Sequence, residues 1–174
     1  MYIRHMTKSD FDYLLTVIDD WWGWPTSFKF HPVYLYQFGN TAFVMEDNGK
    51  VVGFMVGFVS QTDPQEAYIH LVATEPQYRS KGIARALYKR FFAEVFAQGC
   101  CRVRAIMMPS NRGSIAFHNH LGFRILEDYA IEVEGVKAVK NYSGPGQHRV
   151  VVIKDLKEGD AIGKFLEECN REDQ

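Results

Sequence analysis

No stretch of this chain approaches the roughly 18 uninterrupted apolar residues that a membrane-crossing helix needs. Its opening, MYIRHMTKSDFDYLL, also lacks the apolar block and small-residue cleavage site of an export signal. Both absences predict a cytoplasmic protein with no membrane partner. Neither sign of charge is in excess, since 20 Lys and Arg stand against 21 Asp and Glu for a net charge of −1. A general nucleic-acid binder carries a basic surplus, so no nucleic acid is expected as a partner. Cysteine is scarce: three residues, two of them adjacent as Cys100 and Cys101, are too few for a disulfide framework and lack metal-ligand spacing. Reduced, mostly buried thiols and no metal are the expectation. The pattern G-x-x-x-x-G-K-[ST] is missing, which removes a nucleotide-hydrolysing P-loop. GPGQHR, Gly144 to Arg149, imitates a dinucleotide fingerprint but lacks the third glycine and precedes a strand. No repeat or low-complexity segment occurs.

What is present suits one folded domain spanning 1–174: the chain is 47% hydrophobic and 24% charged, a soluble balance at a length that buries most apolar surface. YIRHM reads as an opening strand, and Thr7 with Asp10 resembles a capping box that starts a helix through about Asp20. In WWGWPTSFKFHPVYLYQF, Gly23, Pro25 and Pro32 break any long helix, leaving a loop and a short helix from Pro32. TAFVMED and KVVGFMVGFVS flank Asn48-Gly49, a strong hairpin signal. EAYIHLVATEP is a further strand. Ile83, Leu87, Phe91 and Val95 then recur at helical spacing, and that helix should stop at Gly99. CRVRAIMM is a strand and NRGSIAFHNHLGF a short helix. RILEDYAIEVE and HRVVVIKDL are two strands framing a Gly/Pro loop, and a last helix runs from Asp160 to about Cys169. This order predicts an α/β (α+β) fold: a mixed, mostly antiparallel sheet of six to seven strands with helices on both faces.

The stretch RSKGIA sits at a strand–turn–helix junction. Gly82 at the first turn lets backbone N–H groups approach a ligand, and those free amides with the helix dipole favour an anion. Arg79, Lys81 and Arg85 add positive charge and Ser80 a hydroxyl donor. From the residues alone the turn reads either as a phosphate cradle or as a solvated helix start.

VATEPQYRSKGIARALY resembles motif A of the GCN5-related N-acetyltransferase (GNAT) family, whose signature Q/R-x-x-G-x-G/A falls on Arg79, Gly82 and Ala84. NRGSIAFHNHLGF is similar to that family's second signature, an asparagine, a helix and a closing G-F. The resemblance covers Tyr2 to Leu156 and implies the acyl-CoA N-acyltransferase fold. It implies that acetyl-coenzyme A binds with its pyrophosphate on the amides of Ser80, Lys81, Gly82, Ile83, Ala84 and Arg85. Its pantetheine arm would pair with the backbone of Val72, Ala73 and Thr74 between splayed strands, and Asn111 would contact the arm from the far side. Two departures stand out: Ala84 where glycine is commoner, and Thr74 where an aliphatic residue is usual.

The implied activity is transfer of an acetyl group to a primary amine in a direct ternary complex, since no cysteine falls in either signature. His118, two helical turns after Asn111 and at a position where the family commonly has tyrosine, is the candidate proton donor. His120 points to the opposite side, and HNH is not a metal pair. His70, expected on the same pleat side as Val72 and Thr74, is a candidate base, with Glu66 as another relay. A backbone amide near Leu71 or Val72 would serve the oxyanion. Trp21, Trp22, Trp24 and Phe28, with Tyr142 in the late loop, are expected to line the acceptor pocket, and Asp19 and Asp20 to draw in a cationic amine. A small-molecule acceptor is favoured; a protein or peptide acceptor, or a non-catalytic acyl-CoA sensor, is the alternative. A homodimer is common for this fold and is a further expectation.

Overall fold

The computed structural model describes residues 1–128 and 130–161. The chain runs β1 (Tyr2–His5), α1 (Lys8–Trp22), α2 (Val33–Tyr36), β2 (Ala42–Asp47), β3 (Lys50–Val59), β4 (Glu66–Thr74), α3 (Ile83–Ala97), β5 (Arg102–Met107), α4 (Arg112–His120), β6 (Arg124–Ile125), β7 (Ala130–Val133), β8 (Val136–Val139), β9 (Val150–Asp155) and α5 (Glu158–Ala161). Seven strands form one sheet in the order β1-β2-β3-β4-β5-β9-β6, antiparallel throughout except for β4 beside β5. The mixed sheet with helices on both faces is therefore as expected. No helix among the described residues is long and apolar enough to cross a membrane.

The helix starts follow from local chemistry. Thr7 caps α1 by accepting the Asp10 amide at 3.3 Å, while the Asp10 carboxylate accepts the Thr7 amide at 2.8 Å. One face of the sheet is covered by α1, whose Phe11, Leu14, Ile18 and Trp21 pack on Val44, Phe54 and Leu71. The other is covered by α3, whose Ile83, Leu87, Phe91 and Val95 pack with Phe43, Met55, Val103 and Val152. That helix sits close because β3 presents glycines to it: a Cβ on Gly57 would lie 2.5 Å from the Tyr68 carbonyl and 2.6 Å from the Phe91 ring. The Asn48-Gly49 turn joins β2 to β3 as predicted.

Two expectations need correction. RILEDYAIEVE is not one strand. After β6 the chain leaves the sheet, because Glu127 and Asp128 offer no apolar side to bury. Residues of β7 then pair with β8 in a separate hairpin turned at Glu134 and Gly135. Cys100 is buried but Cys101 is exposed, so the thiols divide. The third major helix ends where expected, its last residue Ala97 and cap Gln98 followed by Gly99 at φ 93°. The predicted helix from Asp160 to about Cys169 lies, past Ala161, outside the described residues.

Candidate active site

The parallel pair β4 and β5 is joined only from Glu66 to Tyr68 against Arg102 to Arg104. Beyond that point β5 follows β9 as far as Met107 opposite Val150, while β4 stays with β3 as far as Thr74 opposite Gly53. The two strands therefore part, and from Ile69 onward one edge of β4 has no neighbouring strand among the described residues. Glu66 holds the base of this wedge. Its carboxylate accepts Arg102 Nε at 2.9 Å, Arg104 Nε at 2.7 Å and Arg104 Nη2 at 2.9 Å. That fork commits Glu66 to joining the strands, away from the relay expected of it.

The register between β3 and β4 passes from Val56 opposite Leu71 to Gly57 opposite Ile69, leaving His70 as the extra residue of a bulge. The bulge exchanges the faces of β4. Ala67 and Ile69 pack with the α3 cluster, whereas Leu71 and Ala73 pack with the α1 cluster. The expectation that His70 shares a side with Val72 and Thr74 is thereby corrected. Val72 packs against the α3 cluster, while His70 stacks on Tyr34 of α2 with centroids 4.6 Å apart. His70 Nε2–H donates to the Lys29 carbonyl at 3.1 Å, which leaves Nδ1 as the acceptor. Burial, aided by the charge of Lys29, holds this imidazole's pKa below its ordinary value.

A cleft of about 570 Å³ runs through the wedge. Tyr88, Asn111, Ser114, His118 and Met108 line one wall; Trp22, Trp24, Lys29, Tyr68, His70 and Arg149 line the other. Leu71, Val72 and Ile106 lie between them. Trp21 is not brought to the cleft; it is buried against Phe54, and the adjacent Trp22 takes the outward position. Tyr142 is exposed and outside the lining, and Phe28 is 77% exposed. Asp19 accepts the amides of Thr26 and Ser27 at 2.5 and 2.6 Å and the Ser27 hydroxyl at 3.0 Å, so it orders the loop rather than facing an acceptor.

At the α3 and α4 wall His118 and Tyr88 form a buried pair. The Ser114 carbonyl lies 2.7 Å from His118 Nδ1 and can only accept, so Nδ1 carries the proton. Nε2 is then the acceptor of the Tyr88 hydroxyl at 2.8 Å. Burial lowers the His118 pKa, with the Ser114 carbonyl opposing, and raises that of Tyr88. With Nε2 engaged in this way, a proton exchanged between this atom and the cleft passes by way of the Tyr88 hydroxyl. Tyr88 was not singled out in the sequence, where it reads as one more residue on a buried helix face. The signal was the hydroxyl itself, which needs a partner once buried. Asn111 caps α4, its Oδ1 accepting the Ser114 amide at 3.1 Å.

The turn before α3 has the features of an anion site. Gly82, at φ 81°, is the helix N-cap and makes no side-chain cap bond. Ser80, at φ 65°, also takes the left-handed conformation. Among the described residues, none of the backbone amides from Ser80 to Arg85 donates to a protein acceptor. Lys81 and Arg85 are exposed beside them, the Lys81 ammonium resting 4.3 Å from the Tyr78 ring centroid. Arg79 is turned away to donate to the Trp21 carbonyl at the end of α1. Ile83 is buried and Ala84 half-buried, so these two offer the turn little beyond their amides.

A sheet parted beside a helix whose first amides are free makes one continuous groove with an anion-binding end. Residues 9–123 match the Acetyltransferase (GNAT) family, and the chain belongs to that family. It is 30% identical over 80 residues to an L-2,4-diaminobutyric acid acetyltransferase of Nocardia farcinica, a match covering 46% of this chain and 42% of that protein. The chain spans about half the length of the curated relatives it matches. Among solved structures, Ard1 from Thermoplasma volcanium superposes with TM-score 0.70 at 22% identity, over 90% of this chain and 98% of that one. Chaetomium thermophilum Naa20, in complex with a bisubstrate analogue, gives 0.69 at 19%, over 95% and 90%. At these identities the structures establish the fold alone.

Proposed function

We propose that this protein transfers the acetyl group of acetyl-coenzyme A to a primary amine of a small molecule, directly and within a ternary complex. The observation that carries the reading is the open edge of β4, with unpaired amides at one end and the Tyr88–His118 pair at the other. The pantetheine arm lies along Val72, Ala73 and Thr74 as an added strand. The diphosphate rests on the amides of Ser80 to Arg85 with Lys81 and Arg85 alongside, and Asn111 borders the arm from α4. Acetyl-coenzyme A supplies the activated carbonyl when bound.

The protein's own task is to handle protons. An amine of pKa near 10.4 costs roughly 4–5 kcal/mol to neutralise at pH 7. His70 takes the first proton of the incoming ammonium at Nδ1 and passes it to solvent. As the nitrogen–carbon bond forms, the Tyr88 oxygen takes the second proton while its own passes to His118 Nε2. When the carbon–sulfur bond breaks, the same pair returns that proton to the departing thiolate, so amide and thiol leave neutral. Trp22 and Trp24 at the cleft favour a small acceptor, as does the likeness to an acetyltransferase of diaminobutyric acid.

The test is thiol release from acetyl-coenzyme A against a panel of diamines, amino acids and peptide N-termini, with coenzyme A affinity measured by calorimetry. Turnover confined to small amines is the expected result. Turnover of peptides alone would overturn the acceptor class. Tight coenzyme A binding without release for any amine would overturn catalysis in favour of a sensor.

A further inference from the structure

We propose, building on the acetyl-transfer reading, that the acceptor carries a carboxylate near its amine and that Arg149 is the residue that recognises it. The cleft's formally charged lining consists of Lys29 and Arg149, and no Asp or Glu lines it among the described residues. Two carboxylates near the lining in the chain are committed, Asp19 to the amides of Thr26 and Ser27 and Glu66 to Arg102 and Arg104, while Asp20 is exposed and outside the lining. Asp19 and Asp20, expected to draw in a cationic amine, both lie outside the lining.

Arg149 is held for the purpose. Its backbone bridges to Val139 just ahead of β9, so the residue is anchored between the sheet and the β7–β8 hairpin. Its Nη1 donates to the His148 carbonyl and its Nη2 to Gln147 Oε1, each at 2.8 Å. Both acceptors are neutral, and Arg149 makes no ion pair among the described residues. By contrast Arg102 and Arg104, at the base of the same wedge, each pair with Glu66. A half-buried guanidinium oriented by neutral acceptors keeps its positive charge and its remaining N–H groups for an anion. Lys29 stands on the same wall, its charge acting on His70. A polyamine would meet repulsion from both cations. An amine bearing a carboxylate compensates Arg149, and the same positive field makes its ammonium easier to deprotonate. One lining therefore serves both selection and activation of the nucleophile.

The experiment compares matched pairs that differ only by the carboxylate, ornithine with putrescine and lysine with cadaverine, in the intact protein. The carboxylate member is expected to lead in kcat/KM by about 10- to 100-fold, as one charge-assisted contact provides. Arg149→Met should shrink that lead to within about threefold, chiefly by raising the KM of the amino acid. Arg149→Lys should keep part of it, and Lys29→Met should reduce it less. Melting temperature and coenzyme A affinity check that each variant is folded. Equal or better use of the diamines, or a lead that survives Arg149→Met, would overturn the assignment. Calorimetry of the same pairs against the coenzyme A-loaded protein reads the preference without turnover. Tighter amino-acid binding that depends on Arg149 supports the proposal even if acetyl transfer itself fails, and no difference in binding overturns it.

Discussion

Replacing Tyr88 by Phe isolates one oxygen atom. The ring stays, so no cavity opens. What goes is the O–H that meets His118 Nε2 at 2.8 Å in a fully buried position. His118 cannot answer by turning, because Nδ1–H is bound to the Ser114 carbonyl at 2.7 Å and the imidazole is 4% exposed. A buried acceptor is therefore left without a partner, which costs about 1–3 kcal/mol. In a chain of this size each kcal/mol lowers the melting temperature by about 2–4 °C. The proton path is cut by the same change, and losing a positioned proton carrier lowers kcat by roughly 10²-fold or more. The double variant Tyr88→Phe with His118→Leu removes both polar partners. It should be more stable than the sum of the two single changes predicts, with kcat no better than in either. Urea unfolding of the four proteins, with thiol release measured alongside, gives both quantities. Additive stabilities, or a Tyr88→Phe protein of unchanged kcat, would refute the hydrogen bond as an energetic and catalytic link.

Gly82→Asp should cost the fold only about 1 kcal/mol, since φ there is 81° and the space beyond is open. It should weaken coenzyme A by at least about tenfold by setting a negative charge at the helix start, an effect calorimetry detects and Gly82→Ala should largely spare. Gly57→Val should destabilise by about 1–3 kcal/mol or more, because any Cβ there meets the Tyr68 carbonyl and the Phe91 ring; an unchanged urea midpoint would contradict the close seating of α3. Both His70 and His118 have lowered pKa values. The unfolded chain therefore takes up protons below about pH 6.5 while the folded chain does not, and stability should fall as pH drops from there through the folded values. A urea midpoint that stays level or rises on acidification across that window would show the imidazoles to be solvated.

Features written in contiguous residues were legible from sequence. Thr7 and Asp10 announced α1, Asn48-Gly49 announced the hairpin, and the RSKGIA turn marked the start of α3. What escaped depends on partners distant in the chain. The bulge at His70 leaves EAYIHLVAT looking like a regular alternation, and only the register against β3 shows that the face changes midway. Trp21 and Trp22 are adjacent and chemically alike, so helical phase alone decides which one enters the core. Tyr88 acquires its role from His118, 30 residues away. Arg149 reaches the cleft only through the fold, which brings the start of β9 beside residues from far earlier in the chain.

The joint at the base of the wedge is narrow: three residue pairs and the Glu66 fork connect β4 to the strands beyond it. A ligand in the gap above would add a second link between the two parts of the sheet, beside the α3 core that already spans both. Protease digestion with and without coenzyme A tests that coupling, and identical cleavage in both would mean the halves stand unaided.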